Sequence, residues 1–138
     1  MSAERIKPRG SFPKGVKLVI AAWAGLLASV NVSGAQTLTP KTHQAIHHLL
    51  AFVNDSDCQF YRNGSWHTSE KAAAHIERKY QYYLEQAQIQ TAEDFIKHSA
   101  TKSSLSGKRY RVQCSDALEI DSATWLTQAL QRYRQSTQ

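Results

Sequence analysis

What most limits the fold open to this chain is a segment that stands apart from it. Arg5, Lys7, Arg9, Lys14 and Lys17 lead into an unbroken apolar run from Leu18 to Leu27. Continued through Ala28, Ser29 and Val30, the run suits the roughly 7–15 residues of a signal-peptide core and falls short of the roughly 18–20 that span a bilayer. A membrane anchor is the competing reading, and it needs a longer run. Small Ser33 and Ala35 stand where a signal peptidase reads, so the expected cut follows Ala35 and the exported chain begins at Gln36. No cysteine follows the apolar run closely enough to carry a lipid. The chain therefore divides into a signal peptide, residues 1–35, and one small domain, residues 36–138, with no stable membrane anchor after cleavage.

Removing the leader changes the meaning of the charge. Residues 1–35 hold five Lys/Arg and one Glu, +4 of the total +6. The remainder has 12 Lys/Arg against 10 Asp/Glu, so the basic balance gives no support to a nucleic-acid partner. Both cysteines, Cys58 and Cys114, fall in the exported part, where an even count without a CxxC motif points to one structural bridge. Two buried free thiols are the alternative. A bridge across a loop of about 57 residues contributes about 4 kcal/mol on the chain-entropy model, a large share for a domain this small.

Thr39 and Pro40 together start a helix, the hydroxyl as cap and the proline at the first helical position. Ala45, Ile46, Leu49, Leu50 and Val53 form its buried stripe, and the run Asn54 to Asp57 ends it. Asn63 and Gly64 suit a hairpin turn between aromatic flanks. Thr68 or Ser69 caps a long helix reaching Gln88, with Ala72, Ile76, Tyr80, Tyr83 and Ala87 on its buried face. Thr91 and Asp94 read as a capping box for a short helix that buries Phe95 and Ile96 and ends near Ala100. A strand over Tyr110 to Cys114 follows. Asp121 or Ser122 then caps a last helix with Trp125, Leu126, Ala129, Leu130 and Tyr133 facing inward. The expected fold is a small α+β domain of about four helices, a short β-hairpin and a third strand.

The segments RNG, HT, EKAAAHIERKY, TAEDFI and SSLSGKRY occur in that order. The characteristic positions they supply are Arg62, Asn63, Gly64, His67, Glu70, Ala73, His75, Lys79, Thr91, Ala92, Glu93, Phe95, Ile96, Ser103, Ser104, Ser106, Gly107 and Tyr110. On these residues the chain resembles an uncharacterised family of small exported proteins from Gram-negative bacteria, a domain of unknown function. The likeness runs from about Cys58 to Tyr110 and more loosely into the helix at Trp125 and Leu126. Members of that family often carry proline at the place of Arg109. The resemblance implies a periplasmic location and a small α+β fold, and it implies no activity.

Four constellations invite chemistry. His43 and His47, four apart on one helix, have the spacing of two metal ligands, yet no nearby carboxylate or cysteine completes a set, so neither metal nor cofactor is expected. Ser, His and acid are all present, but no serine sits in a GxSxG elbow, which leaves a small hydrolase as the third-ranked reading. SGKRY, Ser106 to Tyr110, looks like the SGxxY loop of periplasmic lysozyme inhibitors, and an inhibitor of a cell-wall hydrolase is the runner-up. Arg62, His75 and Lys79 form the fourth group, with His75 and Lys79 one helical turn apart. A snorkelling lysine and a core histidine explain that pair structurally. As a site, they wall a shallow pocket floored by Ser103, Ser104 and the Gly107 turn, rimmed by Ser106 and Tyr110, and suited to an anion such as a peptide carboxylate. The leading expectation is a non-enzymatic periplasmic domain that binds a peptide, a cell-wall fragment or a protein partner.

Overall fold

The computed structural model describes residues 37–138, together with Gly10 and Gly15. The expected leader and its cleavage position lie outside the described residues. Where the described chain begins, Thr39 Oγ1 accepts from Thr42 N at 3.1 Å and Pro40 opens helix α1, Pro40–Asn54. Its buried face is the expected one: Ala45, Ile46, Leu49, Leu50 and Val53.

Strand β1, Cys58–Arg62, turns at Asn63 (φ 50°) and Gly64 (φ 94°) into β2, Ser65–His67. The left-handed backbone needed there is what Asn and Gly tolerate best. β3, Arg111–Cys114, pairs antiparallel on the other side of β1, and the two-residue β4, Ile120–Asp121, completes the order β2-β1-β3-β4. The fourth strand is one more than the sequence suggested. Two residues are too few to show an alternation, and pairing with β3 defines them.

Cys58 and Cys114 are direct cross-strand partners in this register, and they are joined as a disulfide with Cα atoms 4.0 Å apart. The period-two alternation turns Cys58, Phe60 and Val112 inward, leaving Tyr61, Arg111 and Trp66 on the open face. There the Arg111 guanidinium lies 4.3 Å from the Tyr61 ring, which meets Trp66 edge-on.

Helix α2, Ser69–Glu85, is three residues shorter than expected, and Ala87 is exposed rather than buried. The cause is a C-terminal motif: Gln88 N bonds Tyr83 O and Ala87 N bonds Leu84 O, both at 3.0 Å, with Ala87 at φ 54°. Tyr83, expected in the core stripe, is half-buried instead. Thr91 Oγ1 accepts from Asp94 N, and Asp94 Oδ2 accepts from Thr91 N, each at 3.0 Å, so α3, Ala92–Ser99, opens on the expected capping box. Helix α4, Ser122–Ser136, begins after Asp121, whose carboxylate is taken by Arg109 at 3.0 Å and makes no cap bond. Arg134 of α4 holds Glu93 of α3 through two bonds of 2.5 and 3.0 Å.

Ile46, Leu49, Val53, Tyr80, Phe95, Val112, Leu126 and Leu130 fill the core between helices and sheet. The described residues thus form a small α+β domain of four helices and one antiparallel sheet. No helix among them is long and apolar enough to cross a membrane.

Candidate functional site

Arg62 shares the inward parity of Cys58 and Phe60 but stands at the end of β1, past the core. It therefore joins the flank of α2 that carries His75, Arg78, Lys79, Tyr82 and Tyr83, residues three or four apart on one side of the helix. The Ser103–Leu105 loop closes the opposite wall. Together they line an open groove of about 700 Å³ whose other contributors include Asn63, Ser65, His67 and Tyr110.

The loop is built around one hydroxyl. Ser103 is 4 % exposed, and its Oγ accepts from Leu105 N, Ser106 N and Asn63 Nδ2, each at 3.2 Å. Ser106 donates to Asn63 Oδ1 at 2.6 Å, so the hairpin asparagine clamps both serines. Gly107 at φ 69° makes the bend, its N–H bonding Ser103 O at 3.0 Å. Neither Gly107 nor Ser106 lines the groove; both shape the loop behind it. Ser104 does line it, with its hydroxyl 3.1 Å from Tyr83 Oη.

Lys79 reaches across from the helix to donate to Lys102 O at 2.6 Å, with Nζ 5.2 Å from the Tyr110 ring centroid and 5.9 Å from that of Tyr83. Burial, reinforced by the like charge of Lys102, pushes its amine down to about 8. His75 Nε2 lies 3.0 Å from Tyr110 Oη. Burial lowers its ring to about 4, and Arg62, Lys79, Arg78 and His67 push the same way, so the imidazole is neutral at pH 7 in a positive field. Burial also raises the Tyr110 phenol, which stays protonated.

The structure brings Arg62, His75, Lys79, Ser103, Ser104 and Tyr110 into one groove. Sequence reasoning missed Asn63 as the clamp, and Arg78, Tyr82 and Tyr83 as lining. The i,i+3 and i,i+4 relation of these three to His75 and Lys79 was the available signal. Arg62, Arg78 and Lys79 take no part in the three ion pairs among the described residues, which use Arg109, Arg111 and Arg134. Among the described residues, the groove's lining contains no Asp or Glu. Beneath it, Arg62, His67, His75 and Tyr110 also border a water-sized cavity of about 20 Å³ together with Ser122, whose buried Oγ has no hydrogen-bond partner among the described residues. Among the described residues no three or more His, Cys, Asp or Glu converge on a metal position.

Fold and groove together define a small α+β domain with a cationic, hydroxyl-lined depression at the end of its sheet. Residues 40–134 match a family of unknown function, DUF5329, and the chain belongs to that family. No curated protein and no solved structure matches it.

Proposed function

We propose that this is an exported, periplasmic domain of a Gram-negative bacterium that binds its ligand without transforming it. The groove holds an anionic group of a peptide, a cell-wall fragment or a protein partner. One observation carries the reading: three cations from two elements, Arg62, Arg78 and Lys79, line a concave surface to which the described residues bring no carboxylate. Ordinary surface cations are interspersed with acids, as the Arg109, Arg111 and Arg134 pairs are here. Hydroxyls of Ser104 and Tyr83 beside the cations add neutral partners for an oxyanion. The charged start and short apolar run at the amino terminus support export, and the disulfide is compatible with an oxidising compartment.

The same geometry weighs against the two competing readings. An inhibitor loop needs Ser106 and Tyr110 projecting outward, whereas Ser106 is tied to Asn63 and Tyr110 is 6 % exposed. A hydrolase needs serine, histidine and acid in series, whereas the ring nitrogen of His75 faces a phenol. The test is calorimetric titration with soluble peptidoglycan fragments and short acidic peptides carrying free carboxylates, alongside their amidated counterparts. Binding of a carboxylate form at least about ten-fold tighter than its amide is the expected result. Equal affinities for the two forms would remove the reading.

A further inference from the structure

We propose that His43 and His47 form a bidentate site for a late first-row divalent metal ion, with Cu²⁺ preferred over Ni²⁺ and Zn²⁺. The two rings lie one turn apart on α1, both exposed, with their Nε2 atoms 3.2 Å from each other. Two imidazole nitrogens each about 2.0–2.1 Å from one ion are about 2.9 Å apart at a right-angle bite and about 3.4 Å apart at a tetrahedral one. The observed separation falls between those limits, so small rotations of the rings, with the donor ring taking its Nδ1-protonated tautomer, bring both Nε2 lone pairs onto a shared ion.

The frame behind the rings is rigid. Thr39 Oγ1 and Thr39 O take the Thr42 and His43 amides at 3.1 and 3.0 Å, and Ile46 and Leu50, which flank the two histidines along the helix, are buried and fix it to the core. A chelate pre-organised in this way loses little freedom on binding. In the ring-to-ring hydrogen bond one Nε2 accepts and the other donates, so a bound ion takes the place of the shared proton and the donor ring keeps its N–H at Nδ1. His48, next along the chain, is turned away and stacks on Tyr133 at 4.3 Å between centroids.

With no third His, Cys, Asp or Glu converging among the described residues, the protein fills two coordination positions and leaves the others to water or exogenous donors. That is an open, exchangeable site, unlike the closed four-ligand sets of structural zinc. Imidazole ligation without carboxylate or thiolate sets the metal order given above. None of its residues belongs to the groove, so it stands independently of the binding function proposed there.

The test is titration of the tag-free full chain with Cu²⁺ and with Zn²⁺ by calorimetry, with electron paramagnetic resonance of the Cu²⁺ complex counting nitrogen ligands. One ion per chain with a two-nitrogen pattern is expected. His43→Ala and His47→Ala should each weaken binding by at least about ten-fold, since even outer partners of a ligand are worth 10–100-fold. His48→Ala should leave it unchanged. Melting of the metal-free variants checks that the helix is intact, and only the wild type and His48→Ala should gain melting temperature with metal. Binding that survives the double substitution, an equal loss in His48→Ala, or no saturable binding below about 1 mM overturns the site.

Discussion

Replacing Lys79 by methionine separates binding from folding. The side chain keeps its unbranched apolar stem, one heavy atom shorter, and loses its charge. The depression of the amine to about 8 corresponds to about 3 kcal/mol against the charged form, and about 1–2 kcal/mol once the water reaching a half-buried amine is allowed for. Acting the other way are the bond to Lys102 O at 2.6 Å, about 1.5–3 kcal/mol for a charged donor, and about 0.5–1 kcal/mol from the ring faces of Tyr110 and Tyr83. The carbonyl is exposed and water replaces the lost partner, which places its contribution at the lower end. The opposing effects nearly cancel, so urea unfolding of Lys79→Met should show stability within about 1 kcal/mol of wild type. Titration with the carboxylate-bearing fragments should show affinity lower by about 1–3 kcal/mol, a factor of about 5–150. A variant destabilised by more than about 2 kcal/mol that binds the fragments as well as wild type would refute the reasoning and make Lys79 a structural residue.

Reduction of Cys58–Cys114 should cost about 4 kcal/mol, seen in calorimetry as a melting temperature lower by about 15–30 °C, because the 56-residue separation closes a long loop of the unfolded chain. Burial and the surrounding cations hold the folded-state His75 ring below its usual value, at about 4, so the unfolded chain binds the extra proton between about pH 4 and 6.5 and stability rises with pH across that window. Chemical denaturation at pH 4.5 and 6.5 should differ by about 1–2 kcal/mol, and His75→Gln should flatten the slope. Ala87→Gly should stabilise the domain by about 1 kcal/mol in urea melts, since Ala87 occupies the left-handed position of the α2 terminus where glycine avoids the side-chain clash. Mass spectrometry of the chain expressed in a Gram-negative host should find a mature amino terminus at Gln36, and an intact membrane-held species would contradict export.

Much of the fold was legible because its signals act over a few residues. Thr39 with Pro40, Thr91 with Asp94, and Asn63 with Gly64 each specify a cap or a turn through contacts within four positions, and the apolar stripes of α1 and α4 repeat at the helical period. The end of α2 was misplaced for the complementary reason. Nothing about alanine announces a left-handed residue, and the two backbone bonds that stop the helix draw on carbonyls of its own last turn. β4 escaped notice because it exists as a strand only by virtue of β3 beside it.

The sequence by itself determined the helices, the hairpin and the pair of cysteines available for bridging, since propensity, capping and periodicity are properties of neighbouring residues. Tertiary structure alone decided the groove. Asn63 reaches Ser103 across 40 positions and Ser106 across 43, Lys79 reaches Lys102 across 23, and His75 meets Tyr110 across 35. No local rule encodes such separations. They follow from β1 pairing with β3, which carries the loop before β3 to the end of the sheet where Arg62 leaves the core, and from α2 packing so that its polar flank faces that loop. Whether a serine is a solvated hydroxyl or the buried hub of a loop depends on which distant amides arrive beside it, and only the folded chain brings them there.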